Sequence, residues 1–354
     1  MFNPERVELV RLRLGLTKIG FADLLGVDRK TIQRFEAGDC DLPAASREKL
    51  LSASSFPLSF FEKPAPEYPN PEGVSFRSLR SLTAGMRNAA MAAGALAFEL
   101  DDWVSERYAL PPHDLSPERV TAASPSHAAM QVRAAWGIGM RPIGNLVNLL
   151  EARGVRVFSL VEETRHLDAY SLWRDDKPYI FLNTMKTAER SRFDAAHELG
   201  HLILHRHTGS SHPRAESEAD AFASAFLMPE EDLKAEVRWV RGLHEIIEKK
   251  RRWGVSAAAL AYALHKIGKI SDWHYRGHCI ELGKMGRNVE PNPMPRETSQ
   301  IWAKVLQDLW RQGISLSRVA ERLSVPEHEL RSMLFGIASA PDERGSPTGL
   351  RIVT

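Results

Sequence analysis

Residues 193–205 read FDAAHELGHLILH. His197 and His201 stand four apart, so on a helix both imidazoles leave from one face. Glu198 follows the first of them. This is the HExxH pattern, in which two His hold Zn²⁺ and the Glu serves as base toward a water. Such a metal brings the pKa of water toward about 7, so a carboxylate can take its proton at neutral pH. A bare HExxH also arises by chance on a His-rich helix. Here it lies in an amphipathic stretch (Phe193, Ala196, Leu199, Leu202, Ile203) directly after strand-like sequence, which favours the metal reading. Gly200, inside the motif, leaves room for a neighbouring backbone.

A catalytic zinc needs a third protein ligand and one open position. His207 lies ten residues after His197, but that spacing also wants Gly where Leu204 stands. His205 falls too near the end of the helix to turn back. The remaining source is the acidic stretch AESEADAFASAFLMP. Glu218 is four before Phe222 and eight before Phe226, so it shares their buried face, where a carboxylate is costly unless paired or metal-bound. Glu218 is therefore taken as the third ligand. Glu216, on the adjoining stripe with Asp220 and Leu227, is the alternative. Asp220 is either a partner for a ligand His or an ordinary solvated acid. Imidazole–carboxylate sets also accept Mn²⁺ or Fe²⁺.

A second set of chemistry-bearing residues lies near the start, in TKIGFADLLGVDRKTIQRFEAG. Ala22 allows a helix to come close, Gly26-Val27 makes a tight turn, and Ile32 and Phe35 hold the following helix. Arg29, Lys30, Thr31, Gln33 and Arg34 then point outward. They suit a major-groove surface, since Arg pairs with guanine and Gln with adenine through two hydrogen bonds. Thr17 and Lys18, at a helix start, are placed to hold phosphate. Over Val7–Leu51 the pattern resembles the Cro/cI-type (XRE) helix-turn-helix, which implies binding of operator-like double-stranded DNA. Two features depart from it. Gly20 costs its helix ~1 kcal/mol, and residues 1–60 hold nine Lys/Arg against eight Asp/Glu. The alternative is a four-helix protein–protein module.

The elements that position these residues are mostly helical. Asn3-Pro4, Thr17 and Asp28 open three short helices and Pro43 a fourth. Leu79–Tyr108 is Ala-rich and helical, and His127–Trp136 and Ile143–Ala152 follow. The period then changes to two in GVRVFSL, Tyr170–Trp173 and Tyr179–Leu182, read as three short antiparallel strands. Tyr170 and Tyr179 are read chiefly as packing residues. Further helices are expected at 187–205, 216–227, 230–241, 243–252, 256–267, 297–312, 316–323 and 327–335. Proline-rich EKPAPEYPNPE and NVEPNPMP read as linkers.

The chain thus divides into a helix-turn-helix head (1–61), a linker (62–73) and a helical connector (74–142). An α+β, zincin-like core with a small antiparallel sheet (143–287) comes next. A second linker (288–296), a C-terminal helical module (297–337) and a flexible tail (338–354) complete it. No internal repeat of fixed period is evident. The C-terminal stretch SLSRVAERLSVPEHELRSMLF has a helix–turn–helix rhythm, but Glu327-His328-Glu329 would repel DNA, so an interaction module is expected. Residues 234–287 carry twelve Lys/Arg against five Asp/Glu. The run Lys249-Lys250-Arg251-Arg252 is read as a solvated helix end.

Taken together, ERSRFDAAHELGHLILH, ESEADAFASAFLMP and WGVSAAALAYAL resemble the ImmA/IrrE family of zinc metallopeptidases over Ile143–Leu282. The resemblance implies His197, His201 and Glu218 as metal ligands and Glu198 as the catalytic base. It also implies cleavage of a repressor protein, itself of Cro/cI type, that releases stress-response or mobile-element genes. The competing reading is a regulator or antitoxin-like protein whose zinc domain senses or scaffolds without cleaving. A homodimer is compatible with either.

Composition narrows the field. With 47 Lys+Arg and 45 Asp+Glu the chain is not a histone-like polycation. Only Cys40 and Cys279 occur, which excludes a disulfide framework and a Cys-rich zinc finger but leaves His-based metal binding. No apolar run approaches the ~18 residues of a membrane span, and MFNPERVELV is not a signal peptide, so a cytoplasmic protein is expected.

Overall fold

The computed structural model describes residues 2–70, 83–115, 124–160, 169–206, 214–286, 289–335 and 351–352. The head contains α1 (Pro4–Arg13), α2 (Lys18–Leu25), α3 (Arg29–Glu36), α4 (Ala44–Ser54) and α5 (Leu58–Phe61). Its first three helices begin where a side-chain oxygen takes a backbone amide that the helix leaves unpaired. Asn3 accepts from Glu5, Thr17 from Gly20 and Asp28 from Thr31. Gly26, at φ 71°, ends α2 in the left-handed region and turns the chain into α3. Phe21, Leu25, Ile32 and Phe35 are buried between these helices.

Helix α6 (Ala84–Ser105) joins head to core. Its alanines let other elements approach on several sides. Arg6 of α1 pairs with Glu99, and Phe98 packs edge-on against Tyr179 at 5.1 Å. Strand β1 (Tyr108–Ala109) and helices α7 (Pro125–Ala135) and α8 (Leu146–Ala152) lead into the sheet.

The sheet comprises β2 (Arg156–Ser159), β3 (Ala169–Arg174) and β4 (Lys177–Leu182) in the order β2-β4-β3. The expected all-antiparallel arrangement is not what forms. β3 and β4 pair antiparallel, but β2 runs parallel to β4, with Val157 opposite Ile180. Asp175 and Asp176 both adopt positive φ and close the two-residue β3–β4 hairpin. The chain reverses once between β2 and β3 and again at this hairpin, so β2 and β4 run the same way, and β2 sits on the free edge of β4 rather than that of β3. The apolar residues of β4 are buried along both faces, as a central strand covered on each side requires.

Helix α9 (Ala188–Leu204) lies on this sheet, and α10 (Ala215–Leu227) crosses α9 at Gly200. A Cβ there would stand 3.2 Å from Ala219 Cα and 3.3 Å from Phe222 Cβ, so the crossing depends on glycine. Helices α11 (Glu230–Glu236), α12 (Leu243–Trp253), α13 (Ala257–Lys266) and α14 (Asp272–Met285) continue the core. The basic run on α12 is the solvated end expected of it at Arg251 and Arg252, which are exposed, but not at Lys250. Lys250 is buried, with its ammonium 2.8 Å from Glu189 and 3.1 Å from Glu290, while Arg252 pairs with Asp232. An unpaired lysine could not be buried at this depth, and the two carboxylates provide the pairing.

Helices α15 (Gln300–Arg311), α16 (Leu316–Leu323) and α17 (Glu327–Phe335) form the C-terminal module. It packs back on the rest of the chain. The Trp302 indole donates to Val157 O at 2.9 Å, and Arg13 of α1 forms a buried ion pair with Glu329 at 2.9 Å. The module thus contacts both the sheet and the head.

The helix–turn–helix rhythm of the C-terminal stretch proves to be a structural repeat of the head. The α16–α17 unit reproduces α2–α3 at an offset of 298 residues. Thr17 and Ser315 cap the first helices, and Gly26 and Ser324 take left-handed φ. Val27 N bonds Ala22 O, and Val325 N bonds Ala320 O, each at 3.0 Å. Ala22/Ala320, Leu25/Leu323 and Val27/Val325 are the shared residues. Of the tail, only β5 (Arg351–Ile352), paired with β1, lies within the described residues. Among those residues, no helix is long and apolar enough to cross a membrane.

Candidate metal centre

The centre is built where α9 and α10 cross. Thr187 caps α9, accepting from Arg190 N, and starts the helix so that His197 and His201 share one face. Their Nε2 atoms are 3.0 Å apart. Glu216, from the first turn of α10, closes the triangle, with Oε2 at 3.3 Å from His197 Nε2 and Oε1 at 3.6 Å from His201 Nε2. Donors held 2.0–2.1 Å from a tetrahedral ion are separated by about 3.3–3.4 Å. The contacts, made by two imidazole nitrogens and the two oxygens of one carboxylate, scatter around that separation. Two imidazole nitrogens meeting a carboxylate at this separation are the donor set that a borderline-soft cation takes. Among the described residues, this is the one group of three or more such side chains converging on a point.

The carboxylate in that triangle is Glu216, not Glu218. Glu218 instead lies 3.0 Å from His205 Nε2, one helical turn further along α9. The reason is the crossing geometry. With Ala219 against Gly200, residues 216 and 220 face the His197 end, while 218 faces the His205 end. The sequence did hold a signal. Glu216 and Asp220 are one turn apart on α10, and Asp220 Oδ1 lies 2.9 Å from His197 Nδ1.

Glu198 is buried beside the two histidines and lines a cavity of about 690 Å³. Its carboxylate is held from the sheet, where Ser171 Oγ of β3 donates to Glu198 Oε2 at 2.6 Å. Nothing in the local sequence marks Ser171, because its role comes from strand placement. Asp194, Phe193, Cys279 and Leu282 line other parts of the cavity. Tyr170 and Tyr179 are packing residues. Their hydroxyls, buried in the core, bond Ala90 O and Asp101.

Electrostatics set the two imidazoles apart. Burial pushes His201 down to about 2, and the nearby His197 and His205 add to the effect, so its imidazole is neutral and able to offer a lone pair. Burial also disfavours the charged form of His197. The hydrogen bonds to Asp220 and Glu216, together with the charge of Glu198, overcome it and push His197 up to about 10, so a cation taken at its Nε2 would displace a proton. Asp194 is pushed up to about 6 by burial, partly offset by Lys186, Arg190 and His197.

In the head, Arg29, Lys30, Gln33 and Arg34 are exposed on α3, and Thr31 is half-buried. Thr17 spends its hydroxyl on the α2 cap, and Lys18 pairs with Glu36. The corresponding positions of the C-terminal unit are Glu327, His328, Glu329, Arg331 and Ser332.

Residues 150–265, about one third of the chain, match the family model of the IrrE N-terminal-like domain, a peptidase family. No curated protein matches the chain. The matched segment carries α9 and α10, and the likeness supports a metallopeptidase-type domain there.

Proposed function

We propose that the chain is a zinc-dependent endopeptidase of the cytoplasm, coupled to a DNA-reading head, that cleaves a repressor-type protein and so derepresses genes. The observation that carries the enzymatic part is the convergence of His197 Nε2, His201 Nε2 and a Glu216 carboxylate beside a buried Glu198. His197, His201 and Glu216 would hold the ion. When bound, Zn²⁺ polarises a carbonyl and lowers the pKa of water toward about 7.

The protein's own groups then account for the proton. Glu198 accepts it from the attacking water at its carboxylate and returns it to the amine nitrogen as the peptide bond breaks. Ser171, bonded to Glu198 Oε2, fixes the rotation of that carboxylate, so the base is oriented before substrate arrives. The cavity beside Glu198 has room for the residues flanking the cleaved bond. Support for the head comes from four exposed residues of α3, Arg29, Lys30, Gln33 and Arg34, all of them types that read base edges.

The test is incubation of zinc-loaded protein with a Cro/cI-type repressor encoded beside it, scored by gel, with Glu198→Gln as control. Cleavage by the parent and none by the variant is expected. An intact repressor under activating conditions, with zinc bound, would instead favour a regulator that senses or scaffolds.

A further inference from the structure

His201 has a second ring nitrogen, and its environment is built. His201 Nδ1 lies 3.0 Å from His205 Nδ1, and His205 Nε2 lies 3.0 Å from Glu218 Oε2. Both imidazoles are buried, with His201 5% and His205 6% exposed. We infer that Glu218 and His205 are positioning residues, forming a hydrogen-bonded relay that fixes the tautomer and ring orientation of His201. The inference rests on the metal-binding reading of His197, His201 and Glu216.

Proton counting dictates the direction of the relay. If His201 presents the Nε2 lone pair to a cation, its one proton sits on Nδ1. That N–H must donate, and His205 Nδ1 is the acceptor 3.0 Å away. An imidazole that accepts at Nδ1 carries its own proton on Nε2. This N–H donates in turn, and the carboxylate of Glu218 receives it. Each neutral ring thus has one donor and one acceptor in use, and the carboxylate terminates the chain. His197 is served separately, by Asp220 on its Nδ1. Two carboxylates of α10 therefore orient the two histidines, one directly and one through a third imidazole. Partners of this kind raise ligand basicity, and losing one costs about 10–100-fold in metal affinity.

The test is competition of the full-length chain with a chromogenic chelator for Zn²⁺. Glu218→Ala and His205→Ala are expected to weaken zinc binding about 10–100-fold. The double variant should bind no worse than His205→Ala alone, because Glu218 acts through His205. His205→Asn retains an acceptor near the Nδ1 position, guards against a folding defect, and should recover part of the loss. ¹⁵N correlation spectra of the zinc-loaded parent should place the proton on Nδ1 of His201 and on Nε2 of His205. Equal affinity of Glu218→Ala and the parent, additive losses in the double variant, or the opposite tautomers would overturn the relay alone. A parent that takes up no zinc would overturn the metal reading and the relay with it.

Discussion

Ser171 Oγ donates to Glu198 Oε2 at 2.6 Å, tying the edge strand β3 to the carboxylate of the HExxH helix across 27 positions of sequence. The contact makes the sheet part of the centre rather than a platform beneath it. A hydrogen bond to a charged group contributes about 1.5–3 kcal/mol. Ser171→Ala should therefore lower kcat about tenfold or more while leaving zinc content unchanged. Full turnover in that variant would remove Ser171 from the mechanism.

The triangle of His197, His201 and Glu216 predicts metal stoichiometry. His197→Ala and Glu216→Gln should each abolish tightly bound zinc, measured by elemental analysis after gel filtration. Glu198→Gln should retain it, since Glu198 is absent from the converging donor group. Unchanged zinc in Glu216→Gln would return the third-ligand role to another carboxylate.

Gly200 sets the distance between α9 and α10. A methyl group there meets Ala219 Cα at 3.2 Å, so the backbone of α10 must give by a few tenths of an ångström. Gly200→Ala should destabilise the protein by about 1–3 kcal/mol, despite the better helix propensity of alanine. Urea denaturation is the measurement, and a variant as stable as the parent would show that the crossing can relax.

Asp194 supplies a pH signature. Its folded pKa of about 6 lies above its ordinary value of 3.8 because burial disfavours the carboxylate. A group raised in this way favours the fold below its unfolded pKa, and that contribution is lost as pH rises through the folded value. Asn does not titrate. The stability of Asp194→Asn relative to the parent should therefore grow between pH 4 and pH 7, by an amount on the order of 2–3 kcal/mol. A constant difference in melting temperature between the two proteins across that range would count against it.

The two related helical units predict unequal behaviour toward DNA. Arg29→Ala or Arg34→Ala should weaken binding to a duplex carrying the sequence directly upstream of the gene by about 1–3 kcal/mol. Arg331→Ala, at the position of the C-terminal unit equivalent to Gln33, should leave it unchanged, because Arg331 is paired with Glu327. Fluorescence anisotropy decides this, and no specific binding by the parent would leave the head a protein-binding module.

What the sequence determined by itself was local. Four-residue spacing put His197 and His201 on one face, and capping residues at Asn3, Thr17 and Asp28 placed the starts of three helices. Both follow from the period of a helix and its unpaired end amides. The choices that only the tertiary structure made depend on how elements meet. Glu216 and Glu218 are both plausible on α10 until the contact of Gly200 with Ala219 fixes its rotation. The parallel pairing of β2 with β4 depends on which of the two free edges of the β3–β4 hairpin β2 occupies. The burial of Lys250 depends on two carboxylates 61 and 40 residues away in sequence, and the relation of α16–α17 to α2–α3 rests on backbone geometry with three shared residues. Spacing along a helix is fixed by covalent geometry, whereas the rotation of one helix against another is fixed by packing, and it is this rotation that selects the residues which converge.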